Sequence, residues 1–131
     1  TGAAGAMGAG IIAFAGGRLQ SGISTVLDLI GFEKMLEGTD LVFTGEGRID
    51  SQSLDGKVIS GIAQRAKKQN VPVVCVVGSV GDGIEGAYDM GVSAIFSINQ
   101  KAEAFETARY KSAQNLKATM ENILRLIKAS R

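Results

Sequence analysis

The feature that most constrains the fold is a continuous run of mostly β-branched residues, Val73-Val74-Cys75-Val76-Val77. A run without polar alternation predicts a strand that is buried on both faces, which is typical of a parallel sheet covered by helices. Two more short apolar strands are predicted at residues 40–44 and 93–98. Between the strands, apolar residues recur every three or four positions over residues 55–69 and 84–90, which predicts amphipathic helices.

This alternation of strands and helices indicates an α/β domain. The order strand, helix, strand, helix, strand implies right-handed βαβ crossovers and a parallel sheet with helices on both faces. A length of 131 residues is that of one domain. We therefore expect residues 1–131 to form a single three-layer, Rossmann-like parallel-sheet domain with residues 73–77 as its central strand.

Helices are also predicted before and after this alternation. The first ten residues form a glycine-rich loop, followed by a short helix that ends at Gly16-Gly17 and a second helix that ends before residue 31. Residues 32–36 add one more helical turn. Residues 101–128 are predicted to form one long helix, or two helices joined near Lys111.

The inventory of charged and nucleophilic residues excludes several classes of function. A formal net charge of +1, from 14 basic and 13 acidic residues, provides no extended field for nucleic acid or an anionic membrane. With no histidine and one cysteine, the chain lacks a Cys/His zinc site, an internal disulfide and any histidine-dependent triad. Carboxylates, lysine, arginine and backbone amides suit phosphoryl transfer. A single cysteine suits the reducing cytoplasm, where we expect the protein. The apolar residues 8–14 are too few to span a bilayer, so we also expect a soluble protein.

Residues that carry chemistry concentrate between residues 44 and 57, where the first predicted strand runs into a helix. They are two glycines, two cations and two carboxylates: Gly45, Gly47, Arg48, Lys57, Glu46 and Asp50. The glycines let backbone N–H groups approach a ligand, the cations suit anionic oxygens, and the carboxylates suit a metal ion or proton transfer. Polar residues at the carboxyl end of a strand occupy the place where open α/β sheets bind ligands.

Known phosphate-binding motifs do not fit this segment. Asp50 stands where a dinucleotide fingerprint beginning at Gly45 requires its third glycine. In a P-loop containing Gly56-Lys57, Ser51 would replace the first glycine and Val58 the final serine or threonine. The alternative without function is a solvated loop with a helix cap at Ser53 or Asp55.

Three other features have open interpretations. The opening glycines, Gly2 to Gly8, suit either an anion-cradling turn or close helix packing. Ser79 and Asp82 lie in a second glycine-rich loop at residues 78–83 and would complete the same cleft, although Asp82 also fits as a turn former. Cys75 is interpreted as a small buried hydrophobe and not as a nucleophile.

Together these residues resemble the carboxy-terminal portion of the bacterial glycerate kinase family, and the resemblance runs through nearly the whole chain. It is carried by Thr44-Gly45-Glu46-Gly47-Arg48-Ile49-Asp50 with Gln52-Ser53 and Gly56-Lys57, by Gly2-Ala3-Ala4-Gly5-x-Met7-Gly8, and by Val71-Pro72-Val73. Two departures are Ala6, where the family commonly has glycine, and Val58-Ile59, where Ala-Pro is usual. Neither departure removes a polar group.

The resemblance implies transfer of a phosphoryl group from ATP to D-glycerate with Mg²⁺, in a protein of several hundred residues with two α/β domains. The active site would lie in the cleft between the domains. This chain would supply one wall of that cleft, and the missing amino-terminal part of the same protein would be its partner. The chain alone would then be inactive, because both walls are needed to position the reactants and exclude water.

The resemblance also implies roles for individual residues. The catalytic residues would be Asp50, Lys57, Glu46 and Arg48. The residues that bind substrate or phosphate would be Gly2, Gly5, Gly8, Gly45, Gly47, Gln52 and Ser53. Asp50 would act as the base for the substrate hydroxyl or as a magnesium ligand, and Glu46 would assist magnesium. Lys57 and Arg48 would neutralise charge on the transferred phosphate.

Two functions of other classes are weighed against this one. The first is a free-standing α/β module that binds a small anionic metabolite without catalysis, which the abrupt glycine-rich start disfavours. The second is a purely structural or dimerising domain, which the clustered charges disfavour. A missing domain would nevertheless leave an apolar patch exposed, and through that patch the chain would form a homo-oligomer.

Overall fold

The computed structural model describes residues 10–15, 18–21, 31–55, 58–99, 101–102, 104 and 108–131. Within these residues, five strands form one sheet in the order β2-β1-β3-β4-β5. The strands are β1 (Gly10–Ala15), β2 (Arg18–Ser21), β3 (Leu41–Ile49), β4 (Val73–Val80) and β5 (Val92–Ser97). The helices are α1 (Phe32–Met35), α2 (Ser51–Asp55), α3 (Val58–Lys68), α4 (Gly86–Met90) and α5 (Ser112–Ala129), with a 3₁₀ turn at Arg109–Lys111.

Strand β4 lies between β3 and β5 and is parallel to both. Cys75 is opposite Thr44 of β3 on one side and Ile95 of β5 on the other. Every residue from Val73 to Val77 is buried. The predicted buried strand at the centre of a parallel sheet is therefore confirmed.

The side chains of β4 alternate between two helical layers. Val73, Cys75 and Val77 belong to core clusters that also contain residues of α1, α2, α3 and α4. Val74 and Val76 belong to a cluster with Ile123 of α5. Because successive side chains of a strand point to opposite faces, one apolar run serves both layers. This arrangement confirms the predicted three-layer α/β architecture.

The prediction of a helix that ends at Gly16-Gly17 is wrong, because residues 10–15 form strand β1 and residues 18–21 form strand β2. Strand β1 pairs antiparallel with β3 through Ile12 and Phe43, and antiparallel with β2 through Phe14 and Leu19. A helix of about six residues closes too few hydrogen bonds to repay its nucleation, whereas a strand beside β3 gains a full ladder. Two glycines between two strands are typical of a hairpin as well as of a helix end. The parallel sheet therefore carries an antiparallel edge.

Several predicted boundaries also differ. Strands β3 and β4 continue to Ile49 and Val80, five and three residues past their predicted ends. The helix predicted over residues 55–69 is observed as α3, and a further short helix, α2, precedes it. Among the described residues of the one or two helices predicted over residues 101–128, a 3₁₀ turn is followed by α5.

The other helical predictions have mixed outcomes. Helix α1 confirms the turn predicted at residues 32–36, and Gly91 closes α4 with φ 123°. The predicted second helix, ending before residue 31, falls outside the described part of the chain. No helix in the described ranges is both long enough and apolar enough to cross a membrane.

Candidate functional site

Asp50 immediately follows β3 and forms the N-cap of α2. Its Oδ1 accepts hydrogen bonds from the Ser53 backbone N–H at 2.9 Å and from Ser53 Oγ at 3.2 Å. In return, the backbone N–H of Asp50 donates to Ser53 Oγ at 3.3 Å. This reciprocal pair resembles a capping box and satisfies donors that the helix leaves free. The cap expected at Ser53 or Asp55 is therefore at Asp50, with Ser53 as its partner.

Arg48 is the predicted catalytic cation that lies within the described part of the site, and it bridges the ends of β3 and β4. Its Nε donates to Asp50 Oδ2 at 3.1 Å, and its Nη1 lies 3.4 Å from Ser79 Oγ. The side chain of Arg48 is 59% exposed, and that of Asp50 is 24% exposed. An exposed ion pair contributes only ~0.2–1 kcal/mol, so an anionic ligand can compete for this guanidinium at little cost.

Two glycines of the second loop permit the close approach of these strands. A Cβ on Gly78 would lie 2.5 Å from the backbone oxygen of Gly47. A Cβ on Gly81 would lie 2.5 Å from Arg48 Nη2 and 2.9 Å from Asp50 Cβ. Glycine at these two positions therefore allows the β4 end to pack directly on the backbone and side chains of the β3 end.

The two carboxylates of β3 and its end have opposite electrostatic environments. The hydrogen bond from the Ser53 backbone N–H, followed by the Arg48 side chain, holds the pKa of Asp50 below its usual range. Glu46 is half-buried, and burial raises its pKa. Asp50 is thus ionised at neutral pH, whereas burial disfavours the charged form of Glu46.

The structure confirms the interpretation of Cys75 as a buried hydrophobe. It is fully buried, and burial together with the charge of Glu46 raises the pKa of its thiol to about 12. Glu46 is opposite Val77, two residues from Cys75, so both side chains lie on one face of the sheet. A thiol with this pKa carries no thiolate at neutral pH and is not a nucleophile.

The lowered pKa of Asp50 predicts a pH-dependent difference in stability between the intact protein and its Asp50→Asn variant. Because the folded pKa lies below the unfolded value of about 3.9, the ionised carboxylate stabilises the fold at higher pH. That contribution is lost as the pH falls through the folded pKa. We expect the two urea midpoints to differ at pH 7 and to converge below about pH 4. Glu121→Gln, at an exposed position of α5, is the control, and a difference independent of pH would contradict the prediction.

The structure brings together most of the site residues predicted from the sequence. Gly45, Glu46, Gly47 and Arg48 lie within β3, whereas a loop was predicted there. Asp50, Gln52 and Ser53 lie at or in α2, and the side chain of Gln52 is exposed. Ser79 joins the site through Arg48. Asp82 is exposed and accepts a bond from the Ser51 backbone N–H through its carbonyl, at 3.1 Å. Lys57, Gly2, Gly5 and Gly8 are not among the described residues.

Sequence reasoning missed two asparagines at the same edge of the sheet. Asn99 follows β5 and donates through Nδ2 to the Gly78 carbonyl, and Asn115 of α5 donates to Asn99 Oδ1. The carboxyl ends of parallel strands meet at one edge, so this rule applied to the third predicted strand would have selected Asn99. Nothing in the sequence signals Asn115, because only the packing of α5 brings it there.

The described residues contain no cluster of three or more acidic, cysteine or histidine side chains that would hold a metal ion. Two carboxylates at this edge are those of Glu46 and Asp50, which lie two residues before and two residues after Arg48. Any divalent cation held there would take its remaining ligands from a bound phosphate, from water or from other parts of the protein.

Comparison with known proteins gives one consistent result. The family model described as "Glycerate kinase family" matches residues 1–128. The chain is 43% identical over 122 residues to a glycerate kinase of Bacillus cereus (strain ATCC 10987 / NRS 248), covering 93% of this chain and 32% of that protein. It is 40% identical over 122 residues to the glycerate 2-kinase of Escherichia coli (strain K12), with the same two coverages.

A solved structure agrees with the sequence relatives. A crystal structure from Salmonella typhimurium LT2, assigned as glycerate kinase 2, is similar with a TM-score of 0.58 and 37% identity. That similarity covers 85% of this chain and 28% of the Salmonella chain. The chain therefore spans about a third of the length of the curated relatives that it matches.

Proposed function

The chain belongs to the glycerate kinase family, and from that premise we propose that it supplies one wall of the active site of an ATP-dependent kinase for D-glycerate. The observation that carries the proposal is the Arg48–Asp50 pair, anchored by Ser53 and Ser79 at the carboxyl ends of β3 and β4. Ligands of open α/β sheets bind at this edge. Transfer of a phosphoryl group to a hydroxy acid uses a cation for the anionic oxygens and a carboxylate as base or metal ligand, and Arg48, Asp50 and Glu46 are proposed to supply them.

Arg48 is proposed to bind the anionic oxygens of the reactants. Its guanidinium is planar and largely exposed, and it donates in a geometry that matches carboxylate and phosphate groups. Its present partners, Asp50 and Ser79, hold the side chain at the sheet edge before a ligand arrives. Lys57 is proposed to add a second positive charge, as the family resemblance implies.

The two carboxylates are proposed to have separate roles. Asp50 serves as the base for the substrate hydroxyl or as a magnesium ligand, and its lowered pKa supports the second role, since a base acts best when its pKa is near the working pH. Glu46 was expected to assist magnesium. Its raised pKa also suits proton transfer, which makes it a second candidate for the base.

Mg²⁺ fits the donor set at Asp50. Oδ1 already accepts two hydrogen bonds, but Oδ2 accepts one, from Arg48, and retains a lone-pair position. Carboxylate oxygens are the ligands that Mg²⁺ prefers, with one or two of them completed by substrate phosphates and water. When bound, Mg²⁺ would neutralise charge on the phosphoryl oxygens. The protein's own residues hold Arg48 and Asp50 in place for that reaction.

The rest of the cleft is proposed to come from residues outside this chain, because the relatives are about three times as long. In-line phosphoryl transfer requires both reactants to be oriented and water to be excluded, and one wall does neither. The 131 residues alone are therefore expected to be inactive.

The test begins with the intact mass of the protein from its native source. The polypeptide of that mass, here called the native-length protein, is then assayed for ADP release with D-glycerate and Mg-ATP. Glycerate-dependent ADP release from a protein several times heavier than 13.6 kDa supports the whole proposal. Turnover by a protein of 13.6 kDa would contradict the proposal that this chain supplies only one wall of the active site. No turnover at native length would overturn the kinase and favour an anion-binding module without catalysis.

A further inference from the structure

Asn99 connects α5 to the end of β4 through both atoms of its side-chain amide. Its Nδ2 donates to the carbonyl of Gly78, and its Oδ1 accepts from Asn115 Nδ2 at 3.3 Å. Its backbone N–H donates to Ser97 Oγ at 3.1 Å, which fixes the turn after β5. Because donor and acceptor are both used, the orientation of the Asn99 amide is determined by its neighbours.

The carbonyl that Asn99 holds lies at a point of close contact between β3 and β4. Gly78 packs on the backbone of Gly47, so closely that a Cβ on Gly78 would lie 2.5 Å from the Gly47 oxygen. The next residue, Ser79, is opposite Arg48 in the register, and its hydroxyl contacts the guanidinium at 3.4 Å. A displacement of the Gly78 peptide would therefore move Ser79 and the β3 segment that carries Arg48.

The alternative is that Asn99 merely satisfies a carbonyl at the end of a strand. The Asn99 side chain is exposed, so water would replace its hydrogen bonds if it were removed. A hydrogen bond of this kind contributes only ~0.5–1.5 kcal/mol to stability. A role limited to stability would thus be small, whereas a role in orientation would be seen in turnover.

We propose that Asn99 is a positioning residue of the active site, which holds the Gly78 carbonyl and thereby Ser79 and Arg48, and that Asn115 acts through it. The inference rests on the proposed function, because it assigns Arg48 to the reactants. The proposal extends the site to the end of β5 and to α5, where the sequence predicted no site residue.

The test compares Asn99→Ala, Asn115→Ala and the double variant of the native-length protein. Misplacement of a catalytic group by about 1 Å costs up to about 100-fold in rate, and we expect a fall in kcat of about 10-fold for Asn99→Ala. The KM values should change less than about two-fold, because Asn99→Ala keeps the Arg48 charge that binds the reactants and changes only its position, to which the transfer step is more sensitive than binding. The control is Asn122→Ala, on the same helix, whose side chain accepts a hydrogen bond from Arg125 within α5.

The double variant distinguishes positioning through Asn99 from two independent structural effects. If Asn115 acts through Asn99, the double variant has the kcat of Asn99→Ala alone, whereas independent effects on kcat would multiply. Asn115→Ala is also the safeguard against misfolding, since it leaves the Gly78 contact in place. Multiplied effects, or a loss of kcat equal to that of Asn122→Ala, would overturn the proposal.

Amide hydrogen exchange of residues 78–83 separates this proposal from the kinase proposal. Faster exchange in Asn99→Ala and unchanged exchange in Asn122→Ala are expected whether or not the wild type phosphorylates glycerate. If the wild type shows no turnover but the two variants show this exchange pattern, the kinase proposal is wrong and the structural link between Asn99 and residues 78–83 is supported. Wild-type turnover with unchanged exchange and kcat in Asn99→Ala would overturn the positioning role alone.

Discussion

Asp50→Asn is expected to lower the kcat of the native-length protein by at least about 100-fold, within the range of 10²–10⁴ that a positioned proton-transfer group supplies. Asparagine removes the negative charge that holds Arg48 Nε and that is proposed to serve as base or magnesium ligand. It remains a good N-cap, so the hydrogen bond from the Ser53 backbone N–H can persist and α2 should stay folded. Turnover and the circular dichroism spectrum are the measurements.

Ser53→Ala is the matched control for this variant. It removes the hydroxyl that contacts Asp50 Oδ1 and the Arg48 carbonyl but keeps the carboxylate, so its loss of kcat should be much smaller. The dependence on Mg²⁺ then separates the two roles of Asp50. Partial recovery of Asp50→Asn at high Mg²⁺ would indicate a ligand, and no recovery would indicate a base. Near-normal turnover of Asp50→Asn would refute both proposed roles of Asp50.

Gly78→Ala is expected to destabilise the protein by about 3 kcal/mol, the upper end of the usual cost of overpacking. The added Cβ would lie 2.5 Å from the Gly47 carbonyl oxygen, an atom of a neighbouring strand that cannot rotate away. Strands β3 and β4 would have to separate where Arg48 and Ser79 face each other. We therefore expect a lower urea midpoint and also a loss of turnover at temperatures where the variant is still folded.

Gly61→Ala is the control with the opposite sign. Gly61 lies inside α3, and a Cβ there meets no atom within 4 Å. Alanine has a higher helix propensity than glycine, so this variant should be more stable by about 0.5–1 kcal/mol. Equal midpoints for Gly78→Ala and wild type would show that the two strands are less closely packed than the structure indicates.

The sequence predicted the parts of the fold in which local pattern and tertiary packing agree. The run from Val73 to Val77 is apolar at every position, so no arrangement other than burial on both faces satisfies it. The amphipathic pattern of α3 likewise predicted which face packs on the sheet, and Ile59 and Ile62 are buried there. These features depend on side chains that are close together in the chain.

The ends of the strands were not predictable in the same way. Gly45, Gly47 and Gly78 have low strand propensity, which favoured loops. In the structure they extend β3 and β4, because the two segments pair with each other, and at Gly78 a side chain would collide with the Gly47 backbone. The helix predicted at residues 10–15 is wrong for a different reason: Gly16-Gly17 fits a hairpin as well as a helix stop, and the pairing of β1 with both β2 and β3 decides for the strand.

By itself, the sequence determined the α/β alternation, the buried central run and the identity of the polar residues at the end of β3, because these depend on local composition and on spacing along the chain. The tertiary structure decided the environment of those polar side chains: their burial, their hydrogen bonds and their pKa. It made Asp50 a helix cap with a lowered pKa and Glu46 a half-buried carboxyl with a raised one, and it brought Asn99 and Asn115 to Gly78. A pKa and a hydrogen bond between distant residues depend on burial and distance, which spacing along the chain does not specify.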